Sequence, residues 1–167
     1  MYPDKYVEDL ESSNRRAKYV GRTVYAGLFL LGVYILGPVI HEIGHILWIE
    51  LQECLYRFSP GINAFVGFYG KVEPLCFLSD TNLAVFYASG YLSTFLTAVS
   101  LREIGRRVKI DRSALEFTAG GMLVSILVSI TYKGDLTNML QPLNLESFQL
   151  PLMILIILVA SVNVSSS

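Results

Sequence analysis

The chain has 167 residues, 53% of them hydrophobic and 16% charged, with a mean hydropathy of +0.49. Charge falls well below the roughly 25% usual in soluble domains, and long stretches carry almost none, which argues against an ordinary soluble enzyme and for a polytopic membrane protein. A net charge of −1 gives no sign of nucleic-acid or acidic partners, and the length suits one integral-membrane domain.

Residues 1–22 are polar and of mixed charge, from Asp4 and Glu8 to Arg15, Arg16, Lys18 and Arg22. No small-residue cleavage site follows at signal-peptide distance, and the next apolar run is too long for a signal core. A short polar helix or solvated arm at the membrane surface is expected here.

From Thr23 to Leu51 the chain is apolar apart from one motif and Glu50. As a helix it would extend roughly 40 Å, more than the ~30 Å hydrocarbon core, so it should tilt, kink or divide, with Gly37-Pro38 as the natural place. Within it, His41-Glu42-Ile43-Gly44-His45 spells His-Glu-x-x-His, and the chain has no other histidine. Histidines four apart stack on one helix face, so both imidazoles can reach one metal ion. Glu42 stands beside them, where it can act on water at that metal, as in a zinc hydrolase. The plainer reading, a locally bonded helix face, is weakened by the cost of ionisable groups in an apolar helix.

Residues 52–81 form the longest loop. Aromatic and branched residues across Ile62–Val72, punctuated by Pro60-Gly61, Gly67, Gly70 and Pro74, predict one or two short strands, or else an aromatic interfacial loop. The flanking Cys54 and Cys76 fit neither a CxxC nor a zinc-ribbon spacing. Free buried thiols are expected, with a disulfide the alternative on an oxidising face. Leu83–Leu101 is the second span, with Ala88-Ser89-Gly90 as a helix-packing patch. The basic loop 102–112 is explained by topology rather than by nucleic acid. Ala114–Tyr132, with Gly120-Gly121 for packing, is the third span, and Leu150–Val164 the fourth. The fold class is therefore an all-α polytopic membrane protein of about four transmembrane helices, with a short strand-like hairpin between the first two.

Lysines and arginines set the orientation. The N-terminal arm and the 102–112 loop carry five each, and the rest of the chain only Arg57, Lys71 and Lys133. The positive-inside rule places both termini in the cytosol and the far half of the first helix, the 52–81 loop and Asp135 at the opposite face. A catalytic zinc takes three protein ligands and keeps a fourth position open. Asp135, at the end of an apolar span, is the best candidate for the third; Glu146, Glu73, Glu53 and the cysteines are the others. The plainer reading of Asp135 is a turn or helix-end aspartate after Gly134.

Over roughly residues 23–140 the chain resembles the site-2 protease family, the intramembrane zinc metalloproteases. The resemblance rests on His41–His45 in the first core helix, the strand-like Ala64–Val72 after it, Ala88-Ser89-Gly90-Tyr91 in the second helix and Asp135 in the third. It implies zinc held by His41, His45 and Asp135, with Glu42 as general base. The substrate would be a transmembrane protein within the lipid bilayer. Ala64, Phe65 and Val66 would hold an unwound substrate segment by edge pairing, and Ser93, Thr94 or Asn138 would steady the oxyanion. Two other readings stay open: a membrane zinc hydrolase acting on a lipid or small amphiphile, and a non-catalytic metal-binding scaffold. The intact Glu42 argues against the scaffold. A channel or transporter is weaker still, since repeats and multiple broken helices are lacking.

Overall fold

The structure is a computed structural model describing residues 4–63, 67–108, 111–132 and 135–145. It starts with a single long helical element. Helix α1 (Asp4–Leu31) passes through a π-helical turn (Gly32–Leu36) into α2 (Gly37–Leu51). Pro38 cannot donate a hydrogen bond to the carbonyl four residues back, that of Tyr34, and its ring crowds that position. The wider turn just ahead of it, closed by the Gly37 N–H on the Gly32 carbonyl, absorbs the mismatch without ending the helix. The polar arm is thus helical and continuous with the first span. The break expected at Gly37-Pro38 is a local widening.

The loop after α2 is a two-stranded ribbon. Strand β1 (Tyr56–Phe58) pairs antiparallel with β4 (Val72–Pro74), and β2 (Gly61–Asn63) with β3 (Gly67–Tyr69). Reciprocal Ser59–Lys71 backbone bonds of 3.0 and 3.1 Å join the two ladders into one ribbon. Its first arm starts at Tyr56, earlier than the aromatic run from Ile62 suggested. The tip lies outside the described residues, and with it Ala64, Phe65 and Val66. Cys54 and Cys76 form a disulfide, correcting the expectation of free thiols. Register is the physical reason: pairing Tyr56 with Pro74 brings the two ends of the ribbon together, and the cysteine Cα atoms stand 5.7 Å apart, a spacing a disulfide spans.

Helix α3 (Asp80–Arg107) begins at Ser79, whose hydroxyl accepts the Asn82 N–H, and ends on Arg106 and Arg107. Helix α4 (Arg112–Tyr132) begins after Asp111, whose carboxylate accepts the Ala114 N–H at 3.3 Å and the Tyr25 hydroxyl at 3.0 Å, tying α1 to this end. A short helix, α5 (Asp135–Leu140), and a 3-10 turn (Gln141–Leu143) close the described chain.

Among the described residues, three helices are long and apolar enough to cross a membrane: Lys18–Leu51, Asp80–Arg107 and Arg112–Ile130. Four spans were expected; the fourth, Leu150–Val164, lies outside the described residues. Burial in α2 takes in polar groups as well as apolar ones: His41, Glu42, Gly44, His45 and Ile49 are buried, while Ile43, Leu47, Glu50 and Leu51 are exposed. Ionisable groups buried in so apolar a helix need partners inside the bundle. Close backbone approach holds the helices together. A methyl group at Gly121 would run into the Phe29 carbonyl, and one at Gly32 into that of Thr118, so α1 and α4 cross at the paired glycines. On the other side, Leu136 and Leu140 of α5 pack on Ile126 and Ile130 of α4 and on Tyr91 of α3. This turns Asp135 back toward α2.

Candidate metal centre

The helix period puts His41 and His45 on one face of α2, and α5 brings Asp135 to the same point from 94 residues away. His41 Nε2 lies 2.9 Å from Asp135 Oδ2 and 3.1 Å from His45 Nε2, and His45 Nε2 lies 3.9 Å from the same carboxylate oxygen. Neighbouring donors on a tetrahedral zinc with bonds near 2.05 Å stand about 3.3 Å apart, a value these three separations bracket. Both histidines are nearly buried, at 3% and 4% exposure.

The chemistry of the donors fits a cation as well as their spacing does. His45 Nδ1 lies 2.7 Å from the Phe86 carbonyl oxygen, which can only accept. The proton therefore sits on Nδ1, and the neutral ring presents a lone pair at Nε2. That lone pair and the Asp135 carboxylate converge on the same place as His41 Nε2. Acceptors so placed repel one another unless a proton or a cation lies among them. A partner on the far ring nitrogen is also what orients a metal-binding histidine.

Helix α3 shapes the site with residues for which the sequence suggests no role at the metal. A Cβ at Gly90 would lie 2.7 Å from Nε2 of both histidines, so the imidazoles occupy the space that any side chain there would need. The Ser89 hydroxyl donates to the Phe86 carbonyl at 2.6 Å, sharing the acceptor that holds His45. The Tyr91 ring meets His41 edge-on with centroids 4.8 Å apart. The signal available in the sequence was Ala88-Ser89-Gly90, small residues facing the motif helix.

Glu42 is buried at 3% exposure. The ribbon covers it: a Cβ at Gly70 would stand 2.6 Å from Glu42 Cγ. Nearby, Gly67, at φ 77°, sits against Tyr34, and a Cβ there would run into the Tyr34 carbonyl oxygen. The two hydroxyls proposed for the oxyanion face helix carbonyls. Ser93 is 2.8 Å from that of Ile40 and 2.9 Å from that of Gly90, and Thr94 is 3.0 Å from that of Gly90 and 3.4 Å from that of Gly37. The Ser93 proton can tie α3 to α2, and the shorter contact of Thr94 is to its own helix. Asn138 lies on α5, three residues beyond Asp135.

Among the alternative third ligands, Cys54 and Cys76 are joined to each other. Glu73 pairs with Lys71, whose hydrogen bond and charge hold its carboxyl below the usual range. Glu53 lies just past α2 with a left-handed backbone, and Glu146 is outside the described residues. Among the described residues, His41, His45 and Asp135 are the group of histidine, cysteine and acidic side chains close enough to share one ion.

The class defined by fold and site is a helical chain with membrane-length helices and a buried His-His-Asp centre beside a glutamate. No protein-family profile, curated protein or solved structure matches the chain.

Proposed function

We propose that this protein is a zinc-dependent intramembrane protease, similar to the site-2 protease family, that hydrolyses peptide bonds of transmembrane substrates. The observation that carries the reading is the convergence of His41, His45 and Asp135 on one point with Glu42 buried beside it. A zinc ion there supplies Lewis acidity, making water more acidic and the scissile carbonyl more electrophilic. Glu42 takes a proton from the attacking water and delivers it to the departing amine as the C–N bond breaks, so one water is consumed and a carboxylate and an amine result. His45, fixed by the Phe86 carbonyl, and His41, fixed against Tyr91, keep the donors aimed at one point.

A helical substrate shields its own backbone, so the segment to be cut must unwind first. The ribbon is suited to receive it: among the described residues each strand has one strand partner, and the junction at Gly70 between β3 and β4 lies next to Glu42. Two observations support a site near the non-cytosolic face. The basic residues cluster at the opposite end, and the Cys54–Cys76 disulfide at the base of the ribbon belongs to an oxidising compartment.

The test is zinc content and cleavage of a panel of single-span substrates by purified protein. Glu42→Gln is expected to keep zinc and lose cleavage by at least roughly a hundredfold. His41→Ala is expected to lose both. Metal bound without any Glu42-dependent turnover would replace this reading with the scaffold.

A further inference from the structure

The two histidines differ in how their outer nitrogens are held. His45 Nδ1 has the Phe86 carbonyl. Both hydrogen bonds of His41 among the described residues use Nε2, toward Asp135 and His45, so Nδ1 is the nitrogen left for a partner on its other side. His41 also lines a pocket between α2, α3 and α4 with about 10 Å³ of room for the centre of a water molecule, which is space for one. The hydroxyl residues Thr94, Ser125 and Ser129 line it too. Ser129 is more than nine-tenths buried, and its hydroxyl has no hydrogen-bond partner among the described residues.

We infer that this pocket is a built site for one buried water, and that Ser129 is a positioning residue that acts through it on His41. The inference rests on the metal-centre reading above. Donors and acceptors balance. The hydroxyls of Thr94 and Ser125 already point their protons at the Gly90 and Met122 carbonyls, so they offer lone pairs. Ser129 has a proton to give, and a neutral His41 with Nε2 facing a cation carries its proton on Nδ1. A water there accepts from His41 and Ser129 and donates to Thr94 and Ser125, making four bonds and orphaning nothing. The buried Tyr91 hydroxyl adjoins Ser129 and can donate to it, which leaves the Ser129 proton free for the water and extends the same polar cluster. The water would do for His41 what the Phe86 carbonyl does for His45: select the tautomer that aims Nε2 at the metal.

The test is the affinity of the full-length, detergent-purified protein for cobalt(II), measured by chelator competition, with 15N NMR of the histidines as a second readout. Ser129→Ala is expected to weaken cobalt binding roughly 10- to 100-fold and to shift the His41 Nδ1–H signal while leaving that of His45 in place. Ser129→Thr, which restores a hydroxyl, is expected to recover most of the affinity. Should the alanine variant not fold, Ser129→Cys keeps the volume with a much weaker donor and is expected to lose affinity in the same way. A wild type that binds cobalt and a Ser129→Ala protein that binds it equally well, with an unmoved His41 signal, would overturn the inference alone. A wild type that takes up no cobalt would overturn the metal-centre reading and this inference with it.

Discussion

Gly90 has no side chain because two imidazoles occupy the place where one would go. Gly90→Ala puts a methyl group 2.7 Å from Nε2 of His41 and of His45, well inside contact distance, while improving local helix propensity. The expected outcome is a protein that is folded and helical but binds metal at least roughly tenfold more weakly, read by equilibrium dialysis against zinc. Unchanged affinity would mean that the rings are free to move aside and the site is looser than the structure shows. At this scale the three residues of the candidate centre were legible in the sequence, and what holds them in place was not. His41 and His45 announce themselves by a period of four, and Asp135 by being a carboxylate at the end of an apolar run. Phe86 acts through a backbone carbonyl, which any residue possesses, so no side-chain pattern could point to it. Ser129 carries no sequence signal of its own, and what singles it out is the pocket it shares with His41.

Among the elements, the ribbon departs furthest from the sequence reading. Its strands are three residues each and joined by glycine and proline, so period-two alternation has almost no length over which to show itself. The disulfide was missed for a related reason: whether two cysteines 22 residues apart can meet depends on strand register, which their spacing does not encode. Closing that loop is worth about 3 kcal/mol to the ribbon by restricting its open state. Arg57 and Lys71 are exposed on it, which gives a direct assay. Trypsin added outside intact cells is expected to cut at Arg57 or Lys71 after reduction, or in a Cys54→Ser variant, and much more slowly in the oxidised protein. Cutting only from the cytosolic side would reverse the orientation, and equal cutting with and without reduction would remove the clasp role of the disulfide. The first helix was read more accurately. Its length and the irregularity at Gly37-Pro38 were evident, but a proline in a helix is compatible with a kink, a break or a wider turn, and its presence alone does not select the π turn.

For the whole molecule, each of the first three apolar runs falls on one of the three described helices of membrane length, because some twenty uncharged residues favour a helix, but the second helix extends from Asp80 to Arg107, well beyond Leu83–Leu101. Which helix faces which was not legible there. Small residues such as Gly32, Gly44 and Gly121 mark close approach without naming the partner. The fold resolves this by packing α5 on α3 and α4, and that packing delivers Asp135 to the motif helix. The molecule therefore depends on a long-range convergence that no segment contains by itself. The most direct test is the zinc stoichiometry of wild type beside Asp135→Ala, with helical content and unfolding temperature measured on the same samples. The expected result is one zinc per wild-type chain and, in a variant equally folded without metal, affinity lower by about two orders of magnitude, since one of three protein ligands is gone. A wild type without stoichiometric metal, or an Asp135→Ala protein that holds zinc as tightly as wild type, would contradict a centre built from His41, His45 and Asp135.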